Sequence, residues 1–192
     1  MPGGGAVAAL ALAVVIGYLV GAVSPAAWIA KARGVDIRAI GSGNPGASNA
    51  GRALGRRTGV LVAVLDVAKG AVPAAVFASA VDHRAGLAAG LAAVIGHVTS
   101  PFLKGRGGKG AATAAGAVLG MHPLWVVFVV ATWVLVLAAS RWIALASILA
   151  ALAIVAVSVI ADQDIWWAAA IAAIVVLRHT GNIQRRLRST TP

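Results

Sequence analysis

Long apolar stretches separated by short polar gaps dominate this chain. The apolar stretches are nearly free of charge, and a membrane-spanning helix needs about 17–25 such residues. We predict seven membrane-spanning helices, at residues 6–30, 59–81, 85–100, 110–121, 123–139, 143–161 and 165–178. The pattern therefore indicates an all-α integral membrane protein, which we expect to form a single domain over residues 1–192.

Two places in this pattern allow another interpretation. Residues 110–139 can also form one long helix kinked at Pro123, which gives six spans and moves Arg141 and the basic tail to the outer side. The charge distribution described next favours seven spans. The first apolar stretch continues through Gly21–Pro25 into further apolar chain, so we interpret it as a span rather than a cleaved signal peptide.

Basic residues sort to one side of the predicted membrane. The chain is 60% hydrophobic and 11% charged, with a net charge of +11, whereas soluble domains carry about 25% charged residues. On one side of the predicted membrane, Arg84 is the only basic residue in the loops, which also contain Asp82, Asp162 and Asp164. Fourteen basic residues share the other side: Lys31, Arg33, Arg38, Arg52, Arg56, Arg57, Lys104, Arg106, Lys109, Arg141, Arg178, Arg185, Arg186 and Arg188. The positive-inside rule places that side in the cytoplasm, with the N-terminus outside and the C-terminus inside. This clustering between apolar segments argues against nucleic-acid binding.

The first of three polar stretches on the cytoplasmic side is rich in glycine. Converging backbone N–H groups in such a loop bind phosphate oxygens, and an arginine suits bidentate phosphate contact. A flexible connector is the alternative, since glycine and asparagine also build connectors. The candidate residues are Gly41, Ser42, Gly43, Asn44, Gly46, Ser48, Asn49 and Arg52.

The second stretch places glycines before a lysine at a predicted helix start. A lysine at a helix N-terminus favours an anion, but the spacing of a Walker A motif is absent. The alternative is a positive-inside loop without a catalytic role. The candidate residues are His97, Gly107, Gly108, Lys109 and Thr113.

The third stretch follows the last predicted span. His179 and Asn182 are three residues apart and share a face if the helix continues. A histidine near neutral pH can act as an acid, a base or a hydrogen-bond donor, although a histidine at a membrane border is more often interfacial. Ser147 in the sixth predicted span either points back toward the cytoplasm or packs between helices.

Residues that the chain lacks narrow the chemistry. There is no cysteine and no glutamate, and Asp36 is the only acidic residue in a predicted cytoplasmic loop. A Ser-His-Asp triad, a paired-carboxylate site and a carboxylate metal site are therefore hard to assemble, and no HxxxxD motif occurs. Asp66 and Lys69 lie three apart within a span, where charged residues often have a functional role. We favour a structural ion pair, because neither residue lies in a glycine loop. We therefore expect a reaction with an activated substrate, for which the protein supplies positioning and charge stabilisation.

Two other function classes fit less well. An anion transporter would carry polar residues through the span centres, whereas here they gather at one face. A non-catalytic lipid-binding scaffold would not need the Gly-Ser-Gly-Asn and Gly-Gly-Lys-Gly sequences.

Taken together and in order, these motifs resemble the bacterial acyl-phosphate:glycerol-3-phosphate acyltransferases of the PlsY type. The similarity covers nearly the whole chain. It is carried by Lys31–Arg38, Gly41–Asn44, Asn49, Arg52–Gly55, Leu65-Asp66, Lys69-Gly70, Gly96-His97, Gly107–Gly110, Leu145–Ser147, Arg178-His179 and Asn182-Ile183.

The resemblance implies a multi-pass enzyme of the bacterial inner membrane with seven spans, an outer N-terminus and a cytoplasmic active site. It implies acyl transfer from acyl phosphate to the 1-hydroxyl of sn-glycerol 3-phosphate, giving lysophosphatidic acid and phosphate in phospholipid synthesis. It implies no acyl-CoA, no metal and no organic cofactor. We expect membrane lipid around a monomer. A divergent acyltransferase acting on another phosphorylated alcohol remains an alternative.

The resemblance also implies roles for individual residues. Arg52 and Lys109 hold phosphate, the loop at 41–46 cradles the donor headgroup, and Ser147, His179 and Asn182 orient glycerol phosphate. The catalytic set is Ser42, Arg52, Lys109, His179 and Asn182. The substrate-binding set is Gly41, Gly43, Asn44, Gly46, Asn49, His97, Gly107, Gly108, Thr113 and Ser147. A donor phosphate oxygen is favoured as the proton acceptor, and His179 is the rival on the protein side.

Overall fold

The computed structural model describes residues 4–188, and all regular structure in this range is helical. This confirms the all-α prediction. A 3-10 turn at Pro101–Leu103 interrupts the α-helices. The α-helices are α1 (Gly4–Ala22), α2 (Pro25–Ala32), α3 (Ala47–Leu54), α4 (Arg56–Ala80), α5 (His83–Thr99), α6 (Ala111–Met121), α7 (Pro123–Ser140), α8 (Ile143–Ile160) and α9 (Ile165–Arg188).

Five helical segments of the described chain are long and apolar enough to cross a membrane. They are Gly4–Ala32, Arg56–Ala80, His83–Leu103, Pro123–Ser140 and Ile143–Ile160. The helix Ala111–Met121 is apolar but shorter, and α9 runs ten residues beyond the predicted span end at 178, into the basic residues near Arg188. Seven spans and the direction of the termini therefore stay predictions. His122 has a non-helical φ of −137°, so residues 110–139 do not form one continuous helix.

The first apolar stretch is broken, which the predicted span over 6–30 did not include. Helix α1 ends at Ala22, and α2 begins at Pro25 with Ser24 as its N-cap, whose side chain accepts from the backbone N–H of Ala27. The Lys69 ammonium donates to the Val23 carbonyl at 2.7 Å, and the Ser100 hydroxyl donates to the Ala22 carbonyl at 2.6 Å. Side chains from distant parts of the chain thus satisfy the carbonyl groups that the break exposes.

The residues up to Met121 form one compact unit, in which helices approach closely at glycines. A Cβ added at Gly17 or Gly21 of α1 would overlap the backbone of Ala89 or Ala93 on α5, and a Cβ at Gly96 would overlap the Tyr18 carbonyl. Small residues allow such backbone approach between membrane helices.

Helices α4 and α6 also approach closely at glycines. A Cβ added at Gly70 would overlap the carbonyl of Thr113, and a Cβ at Gly116 would overlap the carbonyl of Val67. The start of α6 is therefore fixed against α4.

The predicted Asp66–Lys69 pair is present in this unit. The Lys69 Nζ lies 2.9 Å from Asp66 Oδ1, and both side chains are buried. The Nδ1 atom of His97 on α5 lies 3.6 Å from the same carboxylate oxygen. One ion pair therefore connects α4 to the break after α1 and to the end of α5.

The second compact unit begins at His122 and contains α7, α8 and α9. Ile154, Ile171 and Val175 are fully buried in it, whereas Leu124 and Leu135 of α7 are largely exposed, as expected for lipid-facing positions. The His122 ring stacks on Trp125, and its Nε2 lies 2.7 Å from Asp164 Oδ2. The expectation of a single domain over residues 1–192 stays a prediction, and residues 1–3 and 189–192 of that range lie outside the described residues.

Candidate active site

The first glycine-rich loop is organised around one buried amide. The Asn49 Nδ2 donates to the carbonyls of Ile37 and Ile40, each at 3.0 Å, and its Oδ1 accepts from the Ser42 backbone N–H at 3.0 Å. Asn49 is 1% exposed. Gly41 and Gly43 have φ of +58° and +67°, a region that favours glycine. The glycines and Asn49 together fix the loop that presents Ser42.

Ser42 and Arg52 meet at the exposed surface of this loop. The Arg52 guanidinium donates to the Ser42 hydroxyl at 3.5 Å, and the Asn44 backbone N–H approaches the same hydroxyl at 3.4 Å. Gly46 is the N-cap of α3, without a side-chain cap, so the first N–H groups of that helix lie beside the loop. A hydroxyl, a cation and backbone donors in one place suit an oxyanion ligand.

The second loop lies on His97. The Gly107 and Gly108 N–H groups donate to the carbonyls of Val98 at 3.1 Å and His97 at 3.0 Å. A Cβ at Gly108 would overlap the His97 ring, and a Cβ at Gly107 would overlap the His97 carbonyl. Only glycine permits this contact, so the glycine pair is required by packing as well as by any ligand.

The second loop places Lys109 at the start of α6. Lys109 is half-buried, Gly110 has a φ of +86°, and α6 begins at Ala111. A lysine beside the N-terminal turn of a helix adds its charge to that of the backbone N–H groups. Thr113 lies one turn further on with 0% exposure, and its Oγ1 has no hydrogen-bond partner among residues 4–188.

Arg38, which the sequence analysis did not assign to the site, joins the two loops. Its Nη2 donates to the carbonyl of Arg106 at 2.7 Å and to the carbonyl of Leu103 at 3.3 Å. An arginine within a basic loop carries no sequence signal that distinguishes this role from the positive-inside pattern. Asp36 accepts from the Arg38 backbone N–H at 2.9 Å, so the carboxylate stabilises a turn.

The second unit holds the remaining candidate residues. Ser147 of α8 is buried, and its hydroxyl accepts from the Trp133 indole at 3.3 Å. His179 is 3% exposed, and its Nδ1 lies 2.8 Å from the Val175 carbonyl. Because a carbonyl only accepts, Nδ1 carries the proton, and Nε2 is the acceptor atom of the neutral ring. Helix α9 continues to Arg188, which confirms that His179 and Asn182 lie on one continuous helix.

The structure therefore brings the predicted residues together in groups. Ser42, Asn49 and Arg52 form one group and His97, Gly107 and Gly108 another, both in the first unit, while Ser147, His179 and Asn182 belong to the second unit. Asn49 and His97 face the protein interior, so their contribution to the loops is structural. Direct substrate contact by either residue stays a prediction.

Comparison with known proteins finds relatives over nearly the whole chain. The family model for glycerol-3-phosphate acyltransferase matches residues 11–189. The chain is 44% identical over 178 residues to a glycerol-3-phosphate acyltransferase of Geotalea daltonii, covering 91% of each. It is 43% identical over 188 residues to glycerol-3-phosphate acyltransferase 1 of Deinococcus radiodurans, covering 94% of this chain and 92% of the relative.

A solved structure is also similar over nearly the whole chain. The crystal structure of PlsY (YgiH), an integral membrane glycerol 3-phosphate acyltransferase in its glycerol 3-phosphate form, superposes with a TM-score of 0.90. The identity is 36%, and the match covers 95% of this chain and 94% of that one.

Proposed function

This chain belongs to the glycerol-3-phosphate acyltransferase family, and we propose that it uses acyl phosphate to acylate the 1-hydroxyl of sn-glycerol 3-phosphate. The coarser activity follows from the family: the protein is an integral membrane acyltransferase of phospholipid synthesis that acts on glycerol 3-phosphate. The products of the proposed reaction are lysophosphatidic acid and inorganic phosphate.

The pairing of the Ser42 hydroxyl with the Arg52 guanidinium on a glycine loop is the observation that carries the donor assignment. Acyl phosphate is a mixed anhydride, so its carbonyl carbon is already reactive and needs no carboxylate to activate it. It is anionic, which suits a loop of cations and backbone donors. Arg52 and Lys109 hold the donor phosphate, and residues 41–46 cradle the headgroup while the acyl tail stays among apolar helices.

The second unit is assigned the acceptor. Ser147, His179 and Asn182 bind and orient glycerol phosphate. The bond between the Nδ1 of His179 and the Val175 carbonyl holds the imidazole in one tautomer and one orientation. Such positioning lowers the barrier by converting a bimolecular encounter into an oriented one.

The reaction balances without a cofactor. The 1-hydroxyl oxygen bonds to the acyl carbon, the bond from that carbon to the phosphate oxygen breaks, and phosphate leaves with the electron pair. The hydroxyl proton passes to an oxygen of the donor phosphate. His179 Nε2 is the alternative acceptor, since its neutral form holds a lone pair there. Cations beside the leaving phosphate stabilise the charge that develops on it.

Purified protein in detergent tests this proposal. Palmitoyl phosphate and glycerol 3-phosphate are expected to give equal amounts of inorganic phosphate and lysophosphatidic acid. Palmitoyl-CoA in place of palmitoyl phosphate is expected to give no product. Turnover with the CoA ester alone would reject the donor assignment and leave the family activity intact.

We further propose that the enzyme is a monomer in the bacterial inner membrane, surrounded by lipid, with its catalytic loops in the cytoplasm. The basic residues of the loops, such as Arg38, Arg52, Lys104 and Arg106, support this orientation through the positive-inside rule. Both substrates of the proposed reaction are phosphorylated and are reached from that side.

A further inference from the structure

We propose that Arg38 is a positioning residue that sets the distance between the two phosphate-binding loops. Its kinetic consequence rests on the function proposed above, whereas its structural consequence does not. Arg38 lies outside the predicted catalytic and substrate-binding sets, and its guanidinium contacts protein backbone.

Arg38 links the two loops, and its guanidinium is bound by two carbonyl groups of the second loop. The Nη2 donates to Arg106 at 2.7 Å and to Leu103 at 3.3 Å. Leu103 ends the 3-10 turn, and Arg106 directly precedes the Gly107–Gly108 pair that lies on His97. The guanidinium is therefore bound to the second loop immediately before the segment that contains Lys109.

The backbone of Arg38 is fixed within the first loop. The Arg38 N–H donates to Asp36 Oδ1 at 2.9 Å. A Cβ at Gly43 would lie 2.9 Å from the Arg38 carbonyl oxygen, so the glycine loop packs directly on Arg38. The neighbouring Ile37 carbonyl accepts from Asn49 at 3.0 Å. A residue held in this way cannot move without moving the loop that presents Ser42.

Arginine chemistry suits this task. Carbonyl oxygens only accept, and a guanidinium is a planar, permanently charged donor fork with a fixed geometry. Both bonds come from Nη2, whose position the planar group fixes, whereas a lysine ammonium sits on a flexible stem and would hold the two carbonyl groups less rigidly. Arg38 is half-buried, and its bonds are therefore screened less than those of a fully exposed side chain.

The link has a consequence for the donor. Under the proposed function, the donor phosphate is bound by Arg52 and Ser42 on the first loop and by Lys109 on the second. When Arg38 fixes the two loops relative to each other, the donor no longer has to order them on binding. Loss of the link is expected to weaken donor binding more than acceptor binding.

The kinetic experiment compares Arg38→Gln with Arg33→Gln. Arg33 also donates to backbone and side-chain oxygens, at Leu54 (3.3 Å) and Thr58 (3.1 Å), but it does not reach the second loop through these bonds. Arg38→Gln removes the charged donor of both bonds and is expected to raise the KM for palmitoyl phosphate about tenfold. The KM for glycerol 3-phosphate is expected to stay within about twofold, as it is for both substrates in Arg33→Gln.

Chemical rescue separates positioning from a general loss of fold. Millimolar guanidinium is expected to lower the raised KM of Arg38→Ala toward the wild-type value, because the free ion fits between the same carbonyl groups. No rescue, or an equal rise of KM in Arg33→Gln, would overturn the positioning role.

Hydrogen exchange tests the link without substrate. The amides of residues 102–108 are expected to exchange faster in Arg38→Gln than in wild type or Arg33→Gln, because the loop opens more often. Unchanged exchange would overturn the link itself. Faster exchange with an unchanged KM would overturn its role in donor binding. If wild-type protein does not turn over palmitoyl phosphate, the proposed function fails while the exchange result still decides the link.

Discussion

Asn49 illustrates how a single side chain shapes a binding loop. Its amide donates to the Ile37 and Ile40 carbonyls and accepts from the Ser42 N–H, so it connects both sides of the loop. An amide is the only neutral side-chain group of this size that offers two donors and an acceptor. The position of the Ser42 hydroxyl therefore depends on a residue that is itself buried.

Asn49→Asp tests this dependence. The substitution removes two donors and places carboxylate oxygen against the Ile37 and Ile40 carbonyls. We expect a loss of about 2–3 kcal/mol in the free energy of unfolding, since buried acceptors lose their partners, together with a large loss of turnover. Thermal unfolding in detergent and phosphate release measure the two effects. Ser48→Ala is the control for stability, because Ser48 is an exposed neighbour, and equal stability of both variants would contradict the prediction.

Lys109 lies at the start of α6, in the second glycine loop. Lys109→Ala is expected to lower turnover by about 100-fold or more, because a charge beside the leaving phosphate acts mainly in the transition state. Lys104→Gln removes a charge from the exposed part of the same loop and is expected to retain most activity. Similar losses in the two variants would mean that the general positive charge of the loop matters, rather than the Lys109 position.

Residue types in the polar stretches predicted much of the candidate site. Glycines, a serine and an arginine are common to phosphate loops, so the sequence alone identifies Ser42, Arg52 and Lys109 as candidates. The burial of Asn49 and His97 and the reach of Arg38 were not. Each depends on which backbone atoms the fold brings near the side chain, and local sequence does not contain that information.

At the scale of helices, α4 buries a charged pair inside the first unit. Asp66 and Lys69 pair at 2.9 Å, and the pair also lies near His97 and the Val23 carbonyl. Burial of one charge without the other is expensive in an apolar environment. The pair therefore fixes the rotation of α4 about its own axis.

Single and double substitutions of this pair are expected to behave differently. Asp66→Leu alone leaves Lys69 without its carboxylate and is expected to lower the free energy of unfolding by about 3–5 kcal/mol. The double variant Asp66→Leu with Lys69→Met is expected to be more stable than either single variant. Thermal unfolding of the three variants in detergent measures this, and additive losses would show that the two charges act separately.

Helix positions followed from hydrophobic length where the helix is regular. The spans predicted at 59–81, 85–100, 123–139 and 143–161 correspond to α4, α5, α7 and α8 within about three residues. The apolar pattern does not predict the break at Val23-Ser24, because Ser24 and Pro25 lie within an otherwise apolar run. Ser24 followed by Pro25 is an N-cap signal and could have revealed it. The extension of α9 was missed because basic residues continue a helix without adding apolar length.

At the scale of the whole molecule, the proposed reaction requires both loops on one side of the membrane. The chain has no cysteine, so single cysteines can report orientation against a background without reactive thiols. Ala39→Cys and Lys104→Cys are expected to react with an impermeant maleimide only after permeabilisation, and Gln163→Cys is expected to react in intact cells. All three positions are exposed. Labelling of the Ala39 and Lys104 variants from opposite sides would contradict the proposed function.

The helix break after α1 has a consequence for biogenesis. Its carbonyl groups at Ala22 and Val23 are satisfied by Ser100 and Lys69, which the ribosome adds only after many further residues. The segment of α1 and α2 thus cannot finish its structure until α4 and α5 have been synthesised and inserted. We expect early ribosome-bound chains to keep this segment beside the insertion machinery, and release into lipid to wait for the partner that carries Ser100.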